Sequence, residues 1–309
     1  MPAGRAHSDP STAPETSGNR AKPITSRENR WLKRFRAALA GDLREANVAG
    51  IEGPHLVEEA LRSGVEIQTI LVSPAGEKHL ERLGIAAAGA EKEFAGPRVL
   101  RTTDRLFASV AGTETPQGVA ALVRLPEYSF EDVAGGVPLV VVLVGVQDPG
   151  NVGTIVRSAE AFGATGVVAA AGSASPYGPK AMRASAGSVF RLPVLVRAQP
   201  PVLLAQLRVA GLKLIATTAA AGAPAASLHQ VDLRGPAAVL VGSEAHGLPV
   251  EVLRSADAAI RIRLAGPVES LNAAVAASVV LYEAARQRSE PSESGRPDAA
   301  NAPARETPR

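Results

Sequence analysis

LVVVLVGVQDPGNVGTIVRSAEAFG, residues 139–163, decides how the rest of the chain is read. Residues 139–146 are a continuous apolar run, the pattern of a strand buried on both faces. Asp148-Pro149-Gly150 then turns the chain, and Asn151 stands where a helix begins. Val152, Ile155, Ala159 and Phe162 recur at helical spacing and give that helix a buried stripe. Arg157 and Glu160 fall off the stripe three residues apart, close enough to touch each other. A buried strand feeding a helix through a polar turn is the unit of an α/β sheet with helices on both faces.

Downstream, GVVAA (166–170), PVLV (193–196), LKLIATT (212–218), AAVLVGS (237–243) and IRIRL (260–264) read as further strands. KAMRASAGSVF (180–190), VLLAQLRVAG (202–211) and SLNAAVAASVVLYEAARQR (270–288) read as helices between and after them. Six strands separated by helices predict a mostly parallel sheet over 138–289. Upstream, SRENRWLKRFRAAL (26–39) places Trp31, Leu32, Phe35 and Leu39 at helical spacing among basic residues. Strands at 49–53, 67–73, 99–103 and 118–125 alternate with helices at 55–64, 76–84 and 104–111, so 25–125 forms a second, smaller α/β unit. PEYSFEDVAGGVP (126–138), with Pro at both ends and a Gly pair, reads as the connection, with the linker at 126–137. Residues 1–24 and 290–309 are Pro/Ser/Ala-rich without apolar period and are expected to be disordered tails.

The 309 residues carry 33 Lys+Arg against 30 Asp+Glu, a net charge of +3, and are 46% hydrophobic, a globular composition. The absence of cysteine excludes a disulfide scaffold, a thiolate metal site and a Cys nucleophile. The longest apolar run falls far below the ~20 residues of a bilayer span. The N-terminus has no apolar segment of a secretory signal, which points to a soluble cytoplasmic protein with no membrane partner. The small net charge is unevenly spread. Residues 1–36 carry eight basic and three acidic groups, and residues 161–231 carry six basic groups and no acid. Such segregation favours a polyanionic partner, and nucleic acid is the expected one. Arg30, Lys33 and Arg34 in the first basic stretch, with Lys180 and Arg183 in the second, are the candidate nucleic-acid contacts.

Three polar islands interrupt the framework, each just beyond the C-terminal end of a predicted strand, where open α/β sheets place their sites. The first is the turn and helix quoted above. In the second, VLVGSEAHGLP, a strand ends in Gly242-Ser243-Glu244 with Gly247 following. Glycine at a strand end lets a ligand approach the backbone. Glu244 either orients a hydroxyl or faces water, and His246 reads as a solvated loop residue. In the third, IRIRLAGPVESLNAAVAAS, Ser270 is a candidate N-cap and Asn272 lies in the first helical turn. The small residues behind them imply close packing, against the sheet or a second subunit. No His, Asp or Glu set has convincing metal-ligand spacing. The dinucleotide G-x-G-x-x-G, the Walker A loop and the G-x-S-x-G elbow are all absent, so another kind of cofactor is needed.

In this order the islands NVGTIVR, GSEAHG and SLNAAVA resemble the three motifs of the SpoU/TrmH family of RNA 2′-O-ribose methyltransferases, within the SPOUT superfamily. The resemblance covers about 138–288. EGPHLVEEAL and GTETPQGVAAL look like the substrate-binding domain that precedes many such catalytic domains, itself similar to a small ribosomal RNA-binding protein. The resemblance implies a trefoil-knotted C-terminal sheet that binds S-adenosylmethionine, with Gly242, Ile262 and Leu271 contacting it largely through backbone. It implies a homodimer with active sites near the interface, no metal, and RNA, more specifically ribosomal RNA, as substrate. Arg157 would be the central catalytic residue, with Asn151, Glu244, Ser270 and Asn272 completing the polar shell. Arg263 stands where relatives commonly have Pro, and Ser243 where Asn is frequent. Two alternatives stay open at this point: a tRNA 2′-O-methyltransferase, and a non-catalytic RNA-binding protein on the same fold.

Overall fold

The computed structural model describes residues 22–42, 47–85, 97–219 and 224–289. The expected tails therefore lie outside the described residues, except for 22–24. There Ile24 is buried, and its amide donates to the Arg101 carbonyl at 2.7 Å, so the first α/β unit begins before the expected boundary at 25.

The first unit runs α1 (Arg30–Leu39), β1 (Val48–Glu52), α2 (Pro54–Arg62), β2 (Ile67–Val72), α3 (Glu77–Arg82), β3 (Arg98–Arg101), α4 (Asp104–Ala108) and β4 (Val119–Arg124). Its four strands lie in the order β1-β4-β2-β3. β4 is antiparallel to both neighbours, and β2 and β3 are parallel. The alternation of β4 sorts the two faces. Val119, Ala121 and Val123 join Leu56, Val57 and Ala60 of α2, whereas Ala120 and Leu122 join Leu32, Phe35 and Leu39 of α1.

The expected linker is no loose connection. It contains α5 (Phe130–Val133), closed by a reciprocal capping box between Ser129 and Asp132. Val133 is fully buried, and its carbonyl accepts a bond from the Thr165 hydroxyl at 2.6 Å. One apolar residue aimed at the neighbouring sheet is enough to dock a segment whose Pro and Gly content reads as loop.

The second unit continues with β5 (Leu139–Val144), α6 (Pro149–Ala161), β6 (Gly166–Ala170), α7 (Pro179–Ala184), β7 (Val194–Ala198), α8 (Pro200–Val209), β8 (Lys213–Thr217), β9 (Ala226–Ser227), β10 (Ala237–Gly242), α9 (Val250–Arg254), β11 (Ala258–Arg261) and α10 (Ala273–Ser289). Seven strands, ordered β7-β6-β5-β10-β8-β11-β9, pair in parallel throughout. The seventh, β9, is a two-residue edge strand too short to leave a periodic signal. Leu139, Val141 and Leu143 of β5 face α6 and α10, and Val140, Val142 and Val144 face α8 and α9. The predicted helix 180–190 is interrupted because Ala186 (φ 49°) and Gly187 (φ 88°) leave the helical region. Only Ser188–Phe190 resumes, as a single 3₁₀ turn. β11 ends at Arg261, earlier than IRIRL suggested, which leaves Ile262 at the head of a long loop. Among the described residues no helix is long and apolar enough to cross a membrane.

Candidate active site

The ends of β5, β10 and β11 deliver the three polar islands to one edge of the parallel sheet. After β5 the chain turns, and Asp148 caps α6 by accepting the Gly150 amide at 2.5 Å. The expected helix start at Asn151 is thus displaced: Asp148 is the cap, Pro149 takes the first helical position, and Asn151 lies in the first turn with its amide free for other work. The Gly150 amide, and then the Lys180 ammonium at 3.2 Å, hold the Asp148 carboxyl below the usual carboxylate range.

β10 stops at Gly242 because the chain folds back on itself there. Ser243 and Gly247 exchange backbone bonds of 3.0 and 2.9 Å, and the His246 amide donates to the Ser243 hydroxyl at 3.1 Å. A Cβ on Gly242 would lie 2.2 Å from the Gly247 carbonyl carbon and 2.4 Å from the Leu248 nitrogen, so only glycine fits beneath this turn. His246 is exposed, as expected.

After β11, residues 263–271 form no backbone–backbone hydrogen bond among the described residues. Ile262 packs part of its side chain on the core, Leu271 is half-buried, and Ser270 is exposed, with no hydrogen bond among the described residues. Ser270 does not cap α10. Asn272 does, its Oδ1 accepting the Ala274 and Val275 amides at 2.9 and 3.2 Å. An asparagine two residues further on sits where the helix geometry begins, and that displaces the serine.

One hydrogen-bonded chain joins the islands. Asn272 Nδ2 donates to Asn151 Oδ1 at 2.9 Å, and Asn151 Nδ2 donates to Glu244 Oε1 at 2.5 Å. Its direction is forced from both ends. An ionised carboxylate can only accept, and the amides of a helix N-terminus can only donate, so each asparagine has one consistent orientation. Residues 93 and 121 positions apart in sequence are thus locked into one polar relay.

Arg157 stands outside this cluster. Six residues beyond Asn151 on α6, it lies about 9 Å along the axis and about 120° around it. It is exposed and has no hydrogen-bond or ion-pair partner among the described residues. The expected Arg157–Glu160 contact does not form. Glu160 is taken instead by the fork of Arg191, at 2.6 and 3.0 Å, a two-bond geometry that a neighbour on the same helix does not match.

The candidate RNA contacts fall on two helices: Arg30, Lys33 and Arg34 on α1, and Lys180 and Arg183 on α7. Arg183 is exposed, whereas Lys180 bonds Asp148. The acid-free stretch is partly neutralised in three dimensions, because Arg191 and Arg208 also pair with carboxylates from outside it. Asp148, which sets both the cap and the place of Lys180, was readable only as a turn residue. The Asp-Pro pair, a cap followed by proline at the first helical position, was the available signal. Ser173 was missed without any signal. Its hydroxyl bonds the Gly145 amide and the Leu143 carbonyl, each at 2.9 Å, fastening the loop after β6 to the end of β5.

Compared with known proteins, residues 138–282 match the SpoU rRNA Methylase family, and residues 44–121 match the MRM3-like substrate binding domain. The chain is 34% identical over 262 residues to the 23S rRNA (guanosine(2553)-2′-O)-methyltransferase RlmP of Bacillus subtilis (strain 168), covering 84% of this chain and 98% of that one. The AdoMet-bound rRNA methyltransferase from Sinorhizobium meliloti superposes with a TM-score of 0.73 at 31% identity, over 86% of this chain and 97% of that one. The SpoU methyltransferase AviRb from Streptomyces viridochromogenes, in complex with AdoMet, superposes with a TM-score of 0.73 at 28% identity, over 84% and 98%.

Proposed function

Since the chain belongs to the SpoU rRNA methylase family, with relatives named as rRNA 2′-O-methyltransferases and AdoMet-bound structural neighbours, we propose that it methylates a ribose 2′-hydroxyl of ribosomal RNA using S-adenosylmethionine. The observation that carries the reading for this chain is the Glu244–Asn151–Asn272 relay, which ties the ends of three strands around one glycine-floored turn.

The residues suit the cofactor. The open backbone groups of 263–271 can meet the edge of a flat base, the apolar Ile262 and Leu271 flank them, and Gly242 keeps the floor free of side chain. When bound, S-adenosylmethionine supplies a methyl group already activated on its sulfonium. The protein's task is then alignment and stabilisation of the ribose oxygen as its proton leaves. Glu244 and the α10 N-terminus hold Asn151 from two sides, giving the shell a fixed geometry. Ser270, exposed two residues before Asn272, completes the polar lining in this reading. Arg157 orients the target ribose and stabilises the developing alkoxide, since a guanidinium is too weak an acid to serve readily as base. The division into a substrate domain over 25–125 and a catalytic domain over 138–289 belongs to this reading, as does the trefoil path of the loops around the cofactor.

The active species in this proposal is a homodimer joined through the catalytic domain. Support comes from α10, where Val275 and Tyr282, seven residues apart on one face, are 49% and 57% exposed beside α6. Arg157, turned away from its own chain's relay, would then lie near the interface.

The experiment supplies labelled S-adenosylmethionine and ribosomal RNA, maps 2′-O-methyl positions, and determines the oligomeric state by sedimentation. Label should enter ribose, and Arg157→Ala should lower transfer about 10²–10³-fold with folding retained. Label on a base, or full activity in that variant, would overturn the assignment; a monomer at assay concentration would remove the dimer from it.

A further inference from the structure

We propose that Trp31, surrounded by Arg30, Arg34 and Arg98, is a docking point for an unpaired RNA base and the phosphate beside it. This rests on the RNA methyltransferase reading above and gives its substrate domain a specific contact. The three guanidinium carbons lie 5.5, 5.4 and 5.4 Å from the centroid of the Trp31 ring. They come from two elements, α1 and the edge strand β3, so folding, not sequence order, gathers them. Arg30 and Arg98 are exposed, and no carboxylate pairs with either among the described residues. Arg34 donates to Gln68 Oε1 at 3.0 Å, and Lys33 is bound to Glu28.

The packing of the helix does not account for the arginines gathered at this ring. Leu32, Phe35 and Leu39 bury the apolar stripe of α1, and Trp31 packs against that cluster while staying only partly buried. Arg30 and Arg98, neither paired with a carboxylate among the described residues, bring two like charges to one ring, and an anion between them relieves their repulsion. A phosphodiester fits, because the planar guanidinium fork matches phosphate oxygens. Exposed cation–π contacts are weak and exchange readily, so an arginine moving onto the phosphate frees a ring face for a base. Only an unpaired base offers a face; in a duplex the bases stack on each other.

The cluster is linked to the candidate active site through α1. From Trp31, α1 runs about 12 Å to its C-terminal end. Gly41, just past that end, lies against Pro179, with the space for a Cβ closed to 3.1 Å from the proline Cδ. Lys180 follows and bonds Asp148, the cap of α6. An RNA strand held at Trp31 is thereby registered, one helix length away, against the loops that carry Asn151 and Glu244.

Trp31 is the only tryptophan in the chain, so its emission reports this site alone. The full chain is titrated with a single-stranded RNA 12-mer and with the same RNA as a duplex. The single strand should quench Trp31, and the duplex should leave its emission unchanged. By anisotropy of labelled RNA, Trp31→Leu should weaken single-strand binding about 5- to 150-fold, and Trp31→Phe should keep most of it. Arg98→Gln, an exposed change that leaves packing alone, should lower the slope of log affinity against log salt by about 0.7, since one phosphate is no longer neutralised. Arg157→Ala should quench normally, which separates this site from catalysis. Unchanged emission, or natural affinity and salt slope in Arg98→Gln, would overturn the docking site while leaving methyl transfer standing. Quenching without any methyl transfer by the natural chain would instead overturn the function and keep the RNA contact.

Discussion

Asn272 does two jobs with one amide: its oxygen caps α10, and its nitrogen begins the relay to Asn151 and Glu244. The two can be separated by substitution. Asn272→Ala removes both, and losing an N-cap costs about 1 kcal/mol, or roughly 2–4 °C in Tm for a chain of this size. Asn272→Asp keeps an acceptor for the Ala274 and Val275 amides, and a negative charge there suits the positive end of the helix. It cannot donate to Asn151, however. If Asn151 turned over to donate to it, the Asn151 oxygen would face the Glu244 carboxylate, so one bond of the relay breaks either way. Asn272→Asp should therefore melt near the natural chain in thermal unfolding and still lose most methyl transfer. Full transfer by this variant would show that the relay is dispensable. Sequence could nominate Asn272 but assigned the cap to Ser270, because both are good caps and only the backbone path decides between them.

α6 shows what an element can and cannot reveal in advance. Its buried stripe of Val152, Ile155 and Ala159 was legible, since periodicity records what faces the core. The strands of both sheets were legible for the same reason. Their boundaries, the docked α5 and the two-residue β9 were not, because each depends on contacts across the fold that leave no local period. The close approach of α6 to α7 was equally hidden. Gly153 reads as one more glycine, yet a Cβ there would lie 2.2 Å from the Ala181 carbonyl oxygen and 2.7 Å from the Ala184 Cβ. Neither is the movable tip of a long side chain. Gly153→Ala should force the helices apart, destabilise the protein by about 1–3 kcal/mol against urea, and shift α7 with its Lys180 and Arg183. Thr154→Ala, on the exposed side of the same turn, is the control and should change stability little. Equal urea midpoints for the two variants would refute so close an approach.

At the scale of the whole molecule, the two units are joined through charge as well as apolar packing. Arg191 donates to Glu59 of α2 at 2.8 Å and to Glu160 of α6 at 2.6 and 3.0 Å, and Ser63 accepts a third link at 3.1 Å. The stem of Glu59 lies directly against Gly187. This explains why a stretch with no acids is not simply a basic surface: two of its arginines, Arg191 and Arg208, find counter-charges on other segments once the chain has folded. The arrangement has a pH signature. The Arg191 guanidinium, bonded to Glu160, holds that carboxyl below its ordinary value of 4.5, while burial partly opposes the shift. A carboxylate with a lowered folded pKa contributes stability that is complete above the unfolded value and is lost as pH falls through the folded one. Glu160→Gln should thus be less stable than the natural chain at neutral pH, and the gap should close progressively below about pH 4.5. Urea midpoints measured between pH 3 and 7 provide the comparison. Two curves that stay parallel over that range would mean that Glu160 does not stabilise the junction through its charge. Convergence, with earlier hydrogen exchange in α2 for Arg191→Ala at neutral pH, would mean that Arg191 helps hold the first unit in register with α6.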